Sequence, residues 1–459
     1  MREEYDIIVV GGGPAGYVAA IRAAQLGASV ALAERDVLGG TCLNRGCIPT
    51  KSYLETADVI LGSREWAARG LILDAPPRLD MKKALACKNQ AVRRLTGGVK
   101  ALLESRKVDI VHGRAELKGP GRVEVEGAGV LRSRSAILAG GSFSSRLPIP
   151  GADSKRVLLS EDILALDRLP ASLVVIGGGV IGVEMAQILS AFGCAVTIVE
   201  LESRLLPAMD EELSKAMATT LRRRGIGLHL GVSITRIEDG ASGLAVLLAD
   251  GKRLEAELAL LSVGRKPDLS CIGQSGIAVD GGRVVVDDFM ATSIPGVYAP
   301  GDLNGRKMLA HAAFEMGEAA AHSALGHPRK AELRLVPSVV YGSPEMASVG
   351  LTEAEARACC GSLGIGLFPF SANGRAVASG DTEGSVKVLV DTSFGEILGV
   401  HITGHGASEL INEAAILMRM EVTAFESSEG AHAHPSRSEA FMEAAAAAVG
   451  RCVHLPAKD

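Results

Sequence analysis

Cys42 and Cys47 stand five positions apart in Gly39-Gly40-Thr41-Cys42-Leu43-Asn44-Arg45-Gly46-Cys47-Ile48-Pro49-Thr50-Lys51. Two thiols this close can carry an electron pair by making and breaking a disulfide, and the species that attacks is the thiolate. A working pair therefore needs one sulfur open to a substrate and a second whose charge is stabilised by its surroundings. A stapling disulfide is the structural alternative, but closing so short a loop contributes only about 2 kcal/mol in the chain-entropy model. Two unrelated buried thiols are the other alternative. Zinc is disfavoured, because no second Cys or His cluster stands at ligand spacing. Cys87, Cys194, Cys271, Cys359, Cys360 and Cys452 are expected to be reduced and mostly buried, with Cys359-Cys360 an accident of an Ala-rich helix.

The elements that must position the pair follow from local chemistry. Pro49 suits the first turn of a helix, and the apolar spacing of 48–57 suits an amphipathic one. Cys47 is thus predicted at a helix N-terminus, where the dipole and free N–H groups favour a thiolate. Residues five apart are not neighbours on a regular helix, so a turn at Asn44-Arg45-Gly46 is expected to fold the chain back. Lys51, one helical turn beyond Cys47, falls on the same face.

An internal repeat sets the architecture. Ile8-Val9-Val10-Gly11-Gly12-Gly13-Pro14-Ala15-Gly16 returns as Val174-Val175-Ile176-Gly177-Gly178-Gly179-Val180-Ile181-Gly182. Each copy is followed by an Ala-rich helical pattern and a second apolar strand ending on an acid, Glu34 or Glu200. Strand, glycines, helix, strand and acid together predict two Rossmann βαβ units. Gly11 and Gly177 permit the tight turn, Gly13 and Gly179 let backbone approach a pyrophosphate, and Gly16 and Gly182 allow close helix packing. Each acid can accept hydrogen bonds from a ribose diol. Glu200-Leu201-Glu202 places carboxylates where the 2′-phosphate of NADP would lie, and the nearest following cation is Arg204, so NAD is favoured.

The 41–51 segment resembles the redox-active disulfide of the flavin-dependent, class I pyridine nucleotide-disulfide oxidoreductases, in wording most like the dihydrolipoamide dehydrogenases. The resemblance extends over nearly the whole chain. It implies an α/β fold with two Rossmann-like dinucleotide-binding domains, for FAD and NAD, and a C-terminal α+β dimerisation domain. The implied division is 1–147 for the first FAD part, 148–266 for NAD, 267–336 for the return to the FAD side and 337–459 for dimerisation. Turn-forming residues mark the seams. From 338 onward, apolar segments at 385–390 and 397–402 and helical patterns at 407–420 and 437–449 suggest an antiparallel sheet with helices.

The same resemblance assigns residues. FAD would be held by Gly11, Gly13, Gly16, Glu34, Gly40, Thr41 and Lys51, with Asp302 of Thr292-Ser293-Ile294-Pro295-Gly296-Val297-Tyr298-Ala299-Pro300-Gly301-Asp302 on the ribityl chain. NAD would be held by Gly177, Gly179, Gly182, Glu200 and Gly264. Cys42 would exchange with substrate, Cys47 would face the flavin, and Lys51 would pair with Glu184. In Ala431-His432-Ala433-His434-Pro435-Ser436-Arg437-Ser438-Glu439, His434 would be the base and Glu439 its orienting acid, serving the dithiol of the other subunit of a homodimer. Such a base suits thiol chemistry, since a His titrates near neutral pH. The implied activity is oxidation of dihydrolipoamide on a lipoyl-bearing protein of a 2-oxoacid dehydrogenase or glycine cleavage complex. Gly140-Gly141, Pro300 and Arg437 depart from the family spelling. A glutathione-reductase type, a mercuric reductase and a redox-silent flavoprotein subunit are the rivals; Glu200, the lack of a terminal cysteine pair and the intact Cys42, Cys47 and His434 weigh against them in turn.

Composition excludes other classes. A net charge of −5 without a long basic run leaves neither nucleic acid nor an anionic membrane as an evident partner, and 3% aromatics offer few stacking surfaces. The start, Met1-Arg2-Glu3-Glu4-Tyr5-Asp6, is acidic and runs into a strand, which leads us to expect a cytoplasmic protein. The apolar stretch 7–32 is broken by glycines, Pro14 and Arg22, and the run 444–449 is too short to span a bilayer, so no membrane segment is expected.

Overall fold

A computed structural model describes residues 4–72 and 74–456. Ile7, Ile8, Val9 and Val10 form a continuous apolar run with no polar alternation, the mark of a strand buried on both faces of a parallel sheet. The strand Glu4–Val10 pairs in parallel with Val30–Glu34 on one side and Gly129–Leu138 on the other. The register Val10↔Ala33 brings the Gly11 turn and Glu34 to the same edge of the sheet. A strand from far along the chain, Val297–Tyr298, joins beside Gly129–Leu138 and delivers Gly301 and Asp302 to that edge. Two meander strands, Arg122–Val125 and Ala115–Gly119, complete the far side.

The second unit repeats the plan. Its sheet runs Gly227–Leu230, Ala195–Glu200, Ser172–Ile176, Leu258–Leu261 and Val157–Leu158, all parallel, and the pair Val199↔Ile176 sets Gly177 beside Glu200. The third unit is a five-stranded antiparallel sheet in the order Ser338–Val340, Met346–Gly350, Glu396–Thr403, Ser385–Asp391, Leu363–Pro369. Helices Ala407–Arg419 and Glu439–Ala448 cover it. The expected 437–449 helix starts two residues later, because Arg437 and Ser438 belong to the turn that precedes it. Its alanine run lies against Leu363–Pro369, where a Cβ at Gly366 would stand 1.8 Å from the Ala444 carbonyl oxygen. Small residues on both sides let the helix approach the sheet closely. Among the described residues no helix is long and apolar enough to cross a membrane.

A buried charge cluster ties the second unit to the third. Lys387 Nζ lies 2.7 Å from Asp210 Oδ1, 3.0 Å from Glu212 Oε2 and 3.1 Å from Glu353 Oε2. Asp210 also caps the helix Glu211–Arg223 and accepts the Glu353 N–H at 2.9 Å. Burial alone would raise the Asp210 pKa, but the Lys387 bond and the Glu353 N–H outweigh it and hold the carboxyl below its ordinary value. A depressed carboxyl contributes stability above its unfolded pKa of about 3.9 and loses it as pH falls through the folded value. Lys387→Met should therefore cost about 3–5 kcal/mol in urea unfolding at pH 7, because it leaves Asp210 buried without a counter-ion. The deficit should shrink in acid, where Asp210 is neutral. A loss well under 1 kcal/mol at pH 7 would show that the cluster holds nothing together.

Candidate functional site

The two cysteines occupy two helices rather than one. Cys42 lies in Gly40–Arg45 and Cys47 opens Cys47–Gly62, with Gly46 at φ −138, ψ −109 between them. Asn44 and Arg45 are helical, so the reversal expected across Asn44-Arg45-Gly46 is made at Gly46 alone. A Cβ there would sit 3.0 Å from the Thr41 carbonyl oxygen. Asn44 Nδ2 donates to the carbonyls of Leu38 at 3.0 Å and Gly40 at 2.9 Å, tethering the short helix to the loop before it. Gly40 packs on the first glycine turn, where its Cβ would meet Gly13 Cα at 2.6 Å. The dithiol is thus carried on the start of the first βαβ unit.

The two sulfurs are free thiols in direct contact. A hydrogen bond from Cys42, helped by the Lys51 charge and by its own backbone N–H, lowers the Cys47 thiol to about 7, against burial and the Glu184 charge. The Cys42 thiol is pushed up, first by that same hydrogen bond and then by burial. Cys47 is accordingly the more acidic of the two thiols. Lys51 Nζ lies 2.7 Å from Glu184 Oε2 and 4.3 Å above the centre of the Tyr341 ring. Glu184 is 4% exposed, and its other oxygen accepts the Tyr341 N–H at 3.0 Å. The ammonium is therefore fixed by a carboxylate from the second unit and a ring from the third. Tyr17 also stands near the pair, its pKa raised to about 12 by burial and then by Cys42.

The glycine turns agree in detail. A Cβ at Gly16 would meet the Gly11 carbonyl oxygen at 1.8 Å, and one at Gly182 would meet that of Gly177 at 2.0 Å. Glu34 Oε2 accepts the Gly12 N–H at 2.6 Å and its Oε1 accepts that of Asp36 at 2.8 Å. Glu200 accepts in the same way from Gly178 and, at 2.8 Å, from Glu202. Neither the helix after Gly13 nor that after Gly179 has a side-chain cap, and Cβ atoms at those glycines would meet almost nothing. Uncapped N–H groups, open space and a braced acid at the neighbouring strand end fit a dinucleotide in each unit.

Asp302 opens onto the first site. Its Oδ2 accepts from Ser142 Oγ at 2.5 Å, and Arg265 Nε donates to the same hydroxyl at 2.8 Å. Arg265 also donates to the Ser142 carbonyl at 2.7 Å and, at 3.5 Å, to Thr41 Oγ1. It follows Gly264, which sits at φ +98, and bridges Asp302, Thr41 and the paired strands Ser142–Ser144 and Arg265–Pro267. Neither Arg265 nor Tyr341 carries a local sequence signal; each matters through residues more than a hundred positions away. Gly140 has no room for a side chain, since its Cβ would meet Cys271 Sγ at 2.7 Å. Pro300 precedes the short turn Gly301–Asn304 in extended backbone and leaves it intact.

At the far end of the chain, His434 Nδ1 lies 2.8 Å from Glu439 Oε1, and Glu439 Oε2 accepts the Ser436 N–H at 2.7 Å. The His434 side chain is 78% exposed, and its Nε2 has no partner among the described residues. His432, by contrast, uses both ring nitrogens, on Glu413 at 2.8 Å and the Gly430 carbonyl at 3.0 Å. Of the two histidines, His434 alone keeps a ring nitrogen free for a proton. Arg437 anchors the loop through Ser379 Oγ at 2.7 Å and stacks over Phe370, while Asn373 Nδ2 holds the Ser436 carbonyl at 2.9 Å. Among the described residues of one chain, no hydrogen bond or ion pair joins His434 to Cys42 or Cys47.

The remaining cysteines correct one expectation. Cys194 and Cys271 are buried, but Cys87 and Cys359 are exposed and Cys360 and Cys452 half-buried. Cys87 and Cys359 lie on helices that turn only part of their surface inward. Among the described residues no group of side chains is arranged to hold a metal ion.

Residues 5–317 match the pyridine nucleotide-disulphide oxidoreductases, and residues 336–445 match the dimerisation domain of the same group. The chain belongs to the pyridine nucleotide-disulphide oxidoreductase family. Dihydrolipoyl dehydrogenases from Bacillus subtilis and Thermus scotoductus are 38% and 40% identical to it, over 99% and 98% of this chain and 100% and 99% of their own. Among solved structures, LpdA from Mycobacterium tuberculosis superposes with a TM-score of 0.90 at 28% identity, covering 97% of this chain and 99% of its own. The HOCl-induced flavoprotein disulfide reductase RclA from Escherichia coli gives 0.87 at 28%, covering 96% and 99%. The chain is an oxidoreductase with FAD and NAD as cofactors, and its dimerisation domain makes it a homodimer.

The Cys47 environment yields a direct test. In the reduced protein, alkylation of Cys47 by iodoacetamide should follow a titration centred at about 7. Lys51→Met removes a cation that lowers the thiol and should move that midpoint upward, whereas Cys87, exposed on another helix, should react with the same pH profile in both proteins. An unmoved Cys47 midpoint would remove Lys51 from the account.

Proposed function

We propose that this protein oxidises protein-bound dihydrolipoamide to lipoamide through Cys42 and Cys47, passing the electron pair to NAD. The observation that carries the proposal is the charge asymmetry of the thiol pair. Cys47 is the more acidic thiol, favoured as thiolate by the hydrogen bond from Cys42 and then by the Lys51 charge, while Cys42, the less acidic partner, lies on a helix docked to the first glycine turn. End-to-end similarity to dihydrolipoyl dehydrogenases supports the choice of substrate.

In the oxidised protein Cys42 and Cys47 form a disulfide. His434 of one subunit takes the proton from a substrate thiol, with Glu439 fixing the ring through Nδ1 and leaving Nε2 as acceptor. The substrate thiolate attacks Cys42 Sγ; the Cys42–Cys47 bond breaks, and Cys47 leaves as a thiolate beside Lys51. The second substrate thiol then attacks its own sulfur in the mixed disulfide. Lipoamide closes its ring, Cys42 departs taking the proton of that second thiol, and the proton first taken by His434 passes to solvent. Bound FAD supplies the route by which the electron pair leaves the dithiol and reaches NAD as hydride.

Gly11, Gly13, Gly16, Glu34, Gly40, Thr41, Lys51 and Asp302 are assigned to FAD, and Gly177, Gly179, Gly182, Glu200 and Gly264 to NAD. Arg265 joins the first set because it holds Thr41 and the Ser142–Asp302 bond together. The division at 147, 266 and 336 assigns the seven-stranded sheet to the FAD parts, the five-stranded parallel sheet and a three-stranded antiparallel sheet to the NAD part, and the five-stranded antiparallel sheet to the dimerisation part. The lipoyl arm would come from a 2-oxoacid dehydrogenase or glycine cleavage complex.

Purified holoenzyme offered dihydrolipoamide or glutathione, each with NAD or NADP, tests the proposal. Dihydrolipoamide with NAD should be turned over. Turnover of glutathione alone would reassign the substrate, and no dithiol oxidation at all would leave a redox-silent subunit. His434→Gln should slow dithiol-driven reduction by roughly 10²–10⁴-fold while sparing NADH-driven reduction of an artificial acceptor, which bypasses that proton transfer. Equal slowing of both would exclude His434 as the base.

The carboxylate of Glu200, braced on the Gly178 and Glu202 N–H groups, would meet the ribose 2′-hydroxyl of NAD bound at the second glycine turn. NAD should be preferred to NADP by at least about tenfold in kcat/KM, roughly 1.4 kcal/mol. Glu200→Ala should narrow that ratio. An unchanged ratio would remove Glu200 from cofactor selection.

A further inference from the structure

The helix Cys47–Gly62 and the helix Val180–Phe192 pack side by side through Tyr53, Leu54 and Ala57 against Val183, Ala186 and Phe192, with the Tyr53 and Phe192 rings edge-on at 5.8 Å. Beyond this apolar seam, at the end remote from Cys47, they enclose with the segment after Arg223 a small cavity of about 50 Å³. Arg64, Arg224, Gln187 and Ser190 provide its polar lining, and Leu61, Ala191 and Ile226 its apolar walls.

The cations around this space lack bonded carboxylates. Arg224 is half-buried, and among the described residues its hydrogen bonds go to neutral groups, Ser343 Oγ at 2.8 Å and Gln187 Oε1 at 3.4 Å, while the carboxylates of Glu383 and Asp58 act on it only through space. The nearby carboxylate of Glu383 is already taken by Arg223 at 2.7 Å and by Thr220 at 3.0 Å. Arg64 forms no ion pair among the described residues, and the two guanidiniums lie close enough to disfavour one another. Gln187 is 3% exposed; its Oε1 accepts the Ser343 N–H at 3.1 Å, which fixes the amide orientation and leaves Nε2 buried without an acceptor. A buried donor left unmade costs about 1–3 kcal/mol, so such groups ordinarily have a partner. Two guanidiniums without a bonded carboxylate and an unpaired amide donor converge on the same space, where an anionic acceptor would serve all three.

We propose that this cavity binds a small oxyanion of the size and shape of inorganic phosphate. In this volume measure a water needs about 10–15 Å³, so the space suits one tetrahedral anion, whereas a sugar or a base would have to remain outside. Guanidinium groups match the oxygen edges of such an anion bidentately. The site is separate from both glycine turns and contains none of the residues assigned to FAD, NAD or the dithiol. Gln187 lies one helical turn beyond Glu184, and Leu61 is on the helix that begins at Cys47, so the anion would bridge the outer ends of the two helices that carry Lys51 and its partner.

The test uses the dimeric holoenzyme with FAD bound and NAD saturating, so that both dinucleotide sites are filled, titrated with inorganic phosphate against chloride at equal ionic strength. Calorimetric titration should show saturable binding, with a phosphate-dependent rise in Tm. Arg224→Gln should weaken the binding at least about tenfold. Arg64→Ala, a change at an exposed side chain, should keep the parent Tm without phosphate and lose most of the phosphate-induced rise. This variant guards against misfolding of Arg224→Gln. Absence of saturable binding, or equal affinity in the parent and Arg64→Ala, would overturn the site.

Discussion

A sulfur anion held in a largely buried position needs support from its neighbours, and Cys47 has it first from the Cys42 hydrogen bond and then from the Lys51 charge. The Lys51 ammonium is drawn toward the thiol pair from the same helix face, and it is kept from swinging away by Glu184 and by the Tyr341 ring. Three parts of the chain thereby converge on one charge. The helix comes from the first unit, the carboxylate from the second and the ring from the start of the third. The relative placement of those units is therefore a condition of the thiol chemistry as well as of the fold.

The same requirement accounts for the buried polar contacts between units. Lys387, Asp210 and Glu353 lock the second unit to the third at one point, and Gln187, Ser343 and Arg224 do so at another. Buried ion pairs contribute little net stability compared with well-packed apolar residues, but losing one partner is costly. Such contacts penalise displaced arrangements of the units. That penalty keeps Glu184 and Tyr341 where Lys51 requires them.

A division of labour separates the two ends of the chain. The Cys42–Cys47 centre is shielded and braced from several sides, whereas His434 is exposed on a loop held by Arg437 and Asn373. A base that points outward with its acid already in place is suited to completing a site on another surface. In the proposed function, the partner subunit of the homodimer would provide that surface. Arg437 reinforces the loop by a hydrogen bond to Ser379 and contact with Phe370.

The sequence by itself determined whatever rests on local stereochemistry. The glycines at both turns, the acids that close them, the cysteine pair beside a helix start and the His434–Glu439 spacing were all legible, because each is imposed within about twenty-five residues by backbone sterics or hydrogen bonding. So were the alternation and helical periodicity of the C-terminal sheet and its helices. Tertiary structure alone decided which distant groups meet. Arg265 reaches Ser142 and Thr41, Tyr341 covers Lys51, Tyr17 approaches Cys42, and Arg224 and Gln187 are left around an uncompensated cavity. No periodicity encodes these meetings, since they depend on how whole sheets and helices pack. The exposure of Cys87 and Cys359 has the same cause: a thiol's burial depends on which helix face finds a partner, and residue type does not specify that.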